Sequence, residues 1–121
     1  MPKFQSFGAQ IPYHIWMDVQ VCGFIYLITN PVDHKYYIGK KSFRGGTDWR
    51  IYTGSCKPLA KDMKRIGKDK FIYEVLDYAS NQRDLTLKEA MYQIQFDVLN
   101  REDFYNSNIL GRFFKNKTDI L

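Results

Sequence analysis

The chain has few of the residues from which disulfide-linked and zinc-bound proteins are built. It contains two cysteines and two histidines in 121 residues, and no pair among them has the spacing of a structural zinc site. No apolar run approaches the roughly 18 residues that cross a bilayer, and the first residues lack the apolar stretch of a secretory signal. These absences argue against disulfide scaffolds, zinc modules and membrane proteins, and they lead us to expect an intracellular, cytoplasmic protein.

Positive charge is concentrated in the middle of the chain, although the net charge is only +5. Residues 35–70 contain eleven Lys or Arg against three Asp, whereas the regions on either side are slightly acidic. A basic segment within a mildly acidic chain suits a polyanion such as nucleic acid. A solvated, lysine-rich helix face is the alternative, and charge alone leaves the two interpretations open.

The hydrophobic pattern predicts two neighbouring strands over residues 22–29 and 35–40, joined at the Asn30-Pro31 turn signal. Apolar residues occupy both faces of the first strand, so we expect it to lie inside the sheet and to be covered on both sides. Residues 1–20 carry weak signals, and we expect them to wrap around the domain or pair at a sheet edge.

Three further elements follow the hairpin. They are a helix from Pro58 to a stop at Gly67, a strand over 71–78, and a helix from about Leu85 or Thr86 to Leu99. The last helix is apolar on two sides, which predicts that it is sandwiched. The fold class is therefore α+β: one domain over residues 1–121, with a small three-stranded antiparallel sheet flanked by helices and a core at about 22–110.

Two short motifs lie on the two hairpin strands, and further pieces follow in order. They are Gly23-Phe24-Ile25-Tyr26, Tyr37-Ile38-Gly39, Tyr52-Thr53-Gly54-Ser55, Glu89-Ala90-Met91-Tyr92 and Tyr105-Asn106. This ordered set resembles the GIY-YIG endonuclease superfamily, which includes phage homing endonucleases. It is similar to the small GIY-YIG-like proteins of tailed phages. The first motif differs from the family tripeptide by one extra residue between its glycine and its tyrosine.

The resemblance implies a DNA endonuclease that uses Mg²⁺ or Mn²⁺ to hydrolyse phosphodiester bonds. In the family's scheme the helix glutamate, here Glu89, holds the metal, and Tyr26 orients or deprotonates the attacking water. Alternate residues of a strand share a face, so Tyr37, Gly39 and Lys41 should point the same way. We expect Tyr37 and Lys41 to lie near the phosphate, with the bare Gly39 leaving space for it between them.

A cation is also expected to stabilise the transition state. Many family members carry an arginine about eight residues after the second glycine, where this chain has Thr47. Arg44 is the first candidate to replace it and Arg50 the second, and Lys41 is a third. The remaining residues expected to bind DNA or support the site are Lys40, Trp49, Tyr52, Ser55, Lys57, Lys61 and Asn106.

Glu89 has a structural alternative, because Thr86-Leu87-Lys88-Glu89 fits a capping box at a helix start. Against this, helical spacing places Glu89 on the apolar stripe of Leu85, Tyr92 and Phe96, where a carboxylate needs a partner or a metal.

Two other functions remain open: a catalytically inactive nucleic-acid-binding module on the same fold, and a protein-interaction or structural role. The residues outside the core leave little room for a separate DNA-binding domain. We therefore expect weak sequence preference unless a homodimer or a partner protein adds contacts. A phage-encoded protein would act in the host cytoplasm. The recognition sequence, single- or double-strand cutting, the oligomeric state and the biological role are not determined by the sequence.

Overall fold

Alternating apolar residues form the central sheet of the protein. The structure is a computed structural model, and it describes residues 5–6, 21–43 and 56–115. The strands and helices are β1 (Gln5–Ser6), β2 (Gly23–Asn30), β3 (Lys35–Ser42), α1 (Lys57–Ile66), β4 (Ile72–Ala79), α2 (Gln82–Gln95), β5 (Asn108–Ile109) and β6 (Phe113–Phe114). A 3₁₀ turn over Lys68–Lys70 joins α1 to β4.

Strands β2, β3 and β4 are all antiparallel to their neighbours, which confirms the predicted three-stranded α+β fold. The strand order is β1-β4-β2-β3, so β2 lies inside the sheet and β3 forms one edge. The short β1 pairs with β4 at the opposite edge, in agreement with the edge pairing expected within residues 1–20. Because β3 has no strand on its outer side within the described sheet, its outward backbone groups need other partners.

The two faces of β2 pack against different layers, because successive side chains of a strand point to opposite faces. Phe24, Tyr26 and Ile28 belong to a buried cluster with Leu59 and Met63 of α1. On the other face, the alternate side chains of the sheet pack against α2, and this cluster contains Ile25, Ile38, Leu85 and Ala90. The sheet is therefore covered on both sides, as the apolar pattern of its first long strand predicts.

Helix α2 begins and ends earlier than the sequence predicts. Its N-cap is Asn81, whose side-chain oxygen accepts a hydrogen bond of 2.8 Å from the Asp84 N–H. The helix ends at Gln95, after which Asp97 has a positive φ of 57°. The capping-box interpretation of Glu89 is wrong, because this residue lies in the middle of the helix.

The outer face of α2 also departs from the prediction of a sandwiched helix. Leu87, Met91 and Ile94 are exposed, so this row of side chains is not covered by the described residues. No helix in the described part of the chain is long and apolar enough to cross a membrane.

A polar network joins the hairpin, α1 and the segment after α2. The Tyr105 hydroxyl donates a hydrogen bond of 2.6 Å to Asp62 and accepts one of 2.9 Å from the buried Asn30 amide. Arg65 pairs with Asp62 and with Asp33. Burial, together with the hydrogen bond to Asp62, raises the pKa of Tyr105 to about 12, and the Tyr105 hydrogen bond lowers the pKa of Asp62.

Tyr105→Phe is expected to lower the free energy of unfolding by about 1–3 kcal/mol, because it leaves the Asn30 amide and the Asp62 carboxylate without this partner. A group whose pKa is raised on folding contributes stability below its unfolded pKa and loses it as the pH rises through its folded pKa. The ordinary pKa of tyrosine is 10, and that of Tyr105 in the folded protein is about 12. The difference in unfolding free energy between the wild type and Tyr105→Phe should therefore shrink as the pH rises from 10 to about 12. Urea denaturation of both proteins across this range tests it, and a constant difference would contradict it.

Candidate active site

A cavity of about 660 Å³ lies along the outer edge of β3. It is lined by the edge strand, the start of α1, one face of α2 and the segment that follows α2. The lining residues with side chains suited to phosphate or metal chemistry are Tyr37, Lys40, Lys57, Thr86, Glu89, Gln93 and Asn106. At a sheet edge both faces of the strand are accessible, so the cavity receives Tyr37 from one face of β3 and Lys40 from the other.

The outward backbone groups of β3 are satisfied by three kinds of partner in succession. At Tyr36 they bond the backbone of residues 103 and 105. At Ile38 the Asn106 amide accepts from the N–H at 3.0 Å and donates to the carbonyl at 2.8 Å. Gln93 donates to the same carbonyl at 3.0 Å. At Lys40 the backbone N–H faces the Glu89 carboxylate closely enough to lower its pKa. The edge strand is thus held rigidly against α2 and the segment after it.

Glu89 faces the cavity from α2 with a side chain that is 19% exposed. Burial raises the pKa of the Glu89 carboxyl, and the nearby Lys40 ammonium and backbone N–H only partly offset this effect. The Lys40 Nζ lies 4.0 Å from the carboxylate and donates a hydrogen bond of 2.9 Å to the Thr86 hydroxyl. The Glu89 carboxylate has lost most of its contact with water, so a bound cation or a proton would stabilise it. The Lys40 ammonium supplies only part of that stabilisation.

The two hairpin tyrosines meet over Gly39. Their ring centroids are 6.2 Å apart, and Tyr26 pairs directly with Gly39 in the β2–β3 register. A Cβ atom at Gly39 would lie 2.5 Å from the Tyr26 hydroxyl and 2.8 Å from the Tyr37 ring. The expectation that Gly39 leaves open space for phosphate is therefore wrong: the space is filled by the Tyr26 phenol. Tyr26 itself is only 1% exposed and is not a lining residue of the cavity.

The structure brings together part of the predicted site. The predicted residues that line the cavity are Tyr37, Lys40, Lys57, Glu89 and Asn106. Lys41 and Lys61 are described residues outside its lining. Lys41 shares a β3 face with Tyr37, but it lies four residues further along the strand. The predicted residues outside the described part of the chain are Arg44, Trp49, Arg50, Tyr52 and Ser55.

Sequence reasoning missed Thr86 and Gln93. Thr86 lies three residues before Glu89 and Gln93 lies four residues after it, so all three share one face of α2. This spacing is a signal that could have identified them. Gln93 is a buried polar residue, and its burial by itself requires a hydrogen-bond partner.

The donor set restricts which metal fits this cavity. Among the described residues, no group of three or more His, Cys, Asp or Glu side chains is placed to hold an ion. Glu89 is the carboxylate in the cavity lining, and the Asn106 oxygen is already occupied by the Ile38 N–H. A single carboxylate with open space beside it matches Mg²⁺, which keeps several waters and takes phosphate oxygens as ligands. It does not match the four protein ligands of structural zinc.

The family model described as "Putative endonuclease segE, GIY-YIG domain" matches residues 10–109. The chain is also similar to the "Putative endonuclease segB" of Enterobacteria phage T4, with 32% identity over 88 residues. That alignment covers 73% of this chain but only 38% of the relative. No solved structure matches the chain. The family match over most of the chain, together with this identity, shows that the chain belongs to the GIY-YIG endonuclease family.

Proposed function

We propose that the protein is a metal-dependent DNA endonuclease whose active site is the cavity at the edge of β3. The observation that carries this proposal is the convergence of Tyr37, Lys40 and Glu89 on one cavity, although Glu89 is about 50 residues away from the other two in the sequence. A phenol, an ammonium and a desolvated carboxylate supply the proton transfer, charge stabilisation and metal binding that phosphodiester hydrolysis requires.

Glu89 would hold the divalent ion, Mg²⁺ or Mn²⁺. When bound, this ion would neutralise charge on the scissile phosphate and acidify a water molecule. The Lys40 ammonium lies 4.0 Å from the Glu89 carboxylate, and it would be close enough to turn towards a phosphate. The Asn106 amide fixes the β3 backbone between Tyr37 and Lys40 through Ile38.

Tyr37 is the phenol at the cavity wall, and it would orient the attacking water. The Tyr26 ring packs beside the Tyr37 ring over Gly39, and Tyr26 would be the second phenol of the site. We further propose that Arg44, Arg50 or Lys41 supplies the transition-state cation, as the family scheme requires.

The proposed DNA path follows the basic face of α1. Lys57 lines the cavity, and Lys61 and Lys64 are exposed further along the helix. The proposed DNA-contacting set is completed by Lys40, Asn106, Trp49, Tyr52 and Ser55. Phosphate contacts of this kind release counterions, so DNA binding should weaken steeply as salt rises. We place the whole domain, residues 1–121, in the cytoplasm of a phage host, where a homodimer or partner protein would add sequence specificity.

The decisive experiment is nicking of supercoiled plasmid by the wild-type protein with Mg²⁺, with Mn²⁺ and with EDTA. We expect nicking in either metal, no nicking in EDTA, and recovery when metal is restored in excess. DNA binding in EDTA without cleavage in either metal would contradict the endonuclease proposal and favour a nucleic-acid-binding module. Absence of both binding and cleavage at low salt would favour a protein-interaction role.

A further inference from the structure

The β5–β6 hairpin lies at the rim of the candidate active site. Leu110 and Gly111, at its tip, line the same cavity as Tyr37 and Glu89. The tip is therefore placed next to any phosphate that enters the cavity. Leu110 also borders an apolar depression formed by the first turns of α2, so it separates the polar cavity from an apolar surface.

This hairpin exposes large apolar side chains in several directions. Leu110, Phe113 and Phe114 are 52%, 60% and 63% exposed. Neighbouring strand residues point to opposite faces, so the two phenylalanines project from opposite sides of the ribbon. A flat protein partner would cover one side and leave the other in water. An environment that surrounds the ribbon covers both sides.

The backbone at the tip is strained in a way that keeps Leu110 outside the core. Leu110 has a φ of +60°, a conformation that side chains larger than Asn or Asp rarely adopt, and Gly111 follows at +65°. Strain of this kind persists at sites where the conformation serves a function. Here it places a leucine in solvent beside the cavity instead of burying it.

Charge at the tip favours a polyanion as the occupant. Arg112 is exposed, and within the described part of the chain no carboxylate forms an ion pair with it. Lys40 and Lys57 lie in the cavity next to the tip. Apolar side chains flanked by cations match the grooves of duplex DNA, which present base edges between two rows of phosphates.

We propose that the β5–β6 hairpin enters a groove of duplex DNA beside the scissile phosphate, where its apolar side chains contact bases and Arg112 contacts the backbone. This inference rests on the proposed endonuclease function. A two-stranded ribbon fits the major groove, and exposed Leu and Phe side chains can wedge against or between base pairs. The hairpin would thereby hold the duplex so that one phosphate lies in the cavity.

Two kinds of variant give different signatures in DNA-binding titrations followed by fluorescence anisotropy. With a fluorescein-labelled 30-base-pair duplex, in EDTA to prevent cleavage, Phe113→Ala/Phe114→Ala should raise the Kd at least tenfold, because both aromatic contacts with the base pairs are lost. The slope of log Kd against log salt should stay unchanged, since no phosphate contact is lost. Arg112→Gln should instead reduce the magnitude of that slope by about one.

The matched control is Met91→Ala/Ile94→Ala, which removes two exposed apolar side chains from the outer face of α2, away from the hairpin tip. It should leave the Kd unchanged. A Kd within twofold of wild type for the double phenylalanine variant overturns the proposal. So does a change in molar mass by light scattering without DNA, which would mark the hairpin as a contact between copies.

These outcomes separate the hairpin proposal from the catalytic one. If the wild type nicks plasmid with Mg²⁺ and the hairpin variants bind DNA as tightly as the wild type, only the hairpin proposal is contradicted. If the hairpin variants bind DNA more weakly but the wild type nicks plasmid in neither metal, only the endonuclease proposal is contradicted.

Discussion

Glu89→Gln is expected to reduce plasmid nicking by on the order of 10²- to 10³-fold and, at the same time, to raise the Tm. The loss follows from removing the charge that would hold the metal, a change comparable to deleting one electrostatic catalytic group. The gain in stability follows from burial, which raises the pKa of Glu89 in the folded protein. An ionised carboxylate at neutral pH is therefore unfavourable in the folded state, and an uncharged amide of similar shape removes this cost.

The sign of the stability effect can be checked against pH. A group with a raised folded pKa contributes stability below its unfolded pKa and loses it as the pH rises through the folded value. The excess stability of Glu89→Gln over wild type should therefore be smallest at and below pH 4, grow as the pH rises from the unfolded pKa through the raised folded pKa, and stay constant at higher pH. Each 1 kcal/mol corresponds to about 4 °C of Tm in a domain of this size.

Glu102→Gln is the matched control for Glu89→Gln, because Glu102 is an exposed carboxylate outside the cavity lining. Its nicking rate should equal that of the wild type. Full nicking activity in Glu89→Gln would remove this residue as the metal ligand. A lowered Tm would show instead that its ionised form stabilises the fold through Lys40.

Gly39→Ala is expected to reduce nicking by about 100-fold, since displacement of a reacting group by about 1 Å has an effect of this size. The added methyl group would lie 2.5 Å from the Tyr26 hydroxyl and 2.8 Å from the Tyr37 ring. Tyr26 is buried, so its ring has no free space to enter, and both phenols must shift. Overpacking of this kind lowers the free energy of unfolding by about 1–3 kcal/mol.

Loss of activity through displaced phenols must be separated from loss through lower stability. Gly67→Ala provides this control, because Gly67 ends α1 with a φ of +110° and any side chain there is strained. It should destabilise the fold by about 1 kcal/mol or more and keep wild-type nicking below its Tm. In the double variant Gly39→Ala/Tyr26→Phe, the destabilisation should be less than the sum of the two single effects. Equal activity losses in Gly39→Ala and Gly67→Ala would contradict the role assigned to the phenols.

Local patterns predicted most of the fold. Strands β2, β3 and β4 and helix α1 lie within one or two residues of their predicted bounds, because alternation, Pro58 and Gly67 are signals written in neighbouring residues. The errors occurred in α2. Its apolar periodicity continues to Leu99, but the chain turns at Asp97, and its true N-cap, Asn81, lies four residues before the first apolar residue of the helix.

The candidate site was predicted less completely than the fold. The motif tyrosines and Glu89 were identified because the family pattern marks them. The contacts that hold the site were not identified, because they join residues far apart in the chain: Lys40 to Thr86, 46 residues away, and Ile38 to Asn106, 68 residues away. Arg44 and Arg50 lie outside the described residues, so their part in the site stays a prediction.

By itself the sequence determined the family, the order of the elements and which residues share a face of each strand. It did not determine that Lys40, and not Lys41, faces the cavity. Periodicity divides β3 into two sets of side chains, but only the packing of α2 on the Ile38 face, at an open sheet edge, decides which set meets Glu89. The physical reason is that strand alternation is fixed by neighbouring residues, whereas the position of a helix on a sheet is fixed by burial of apolar surface from the whole chain.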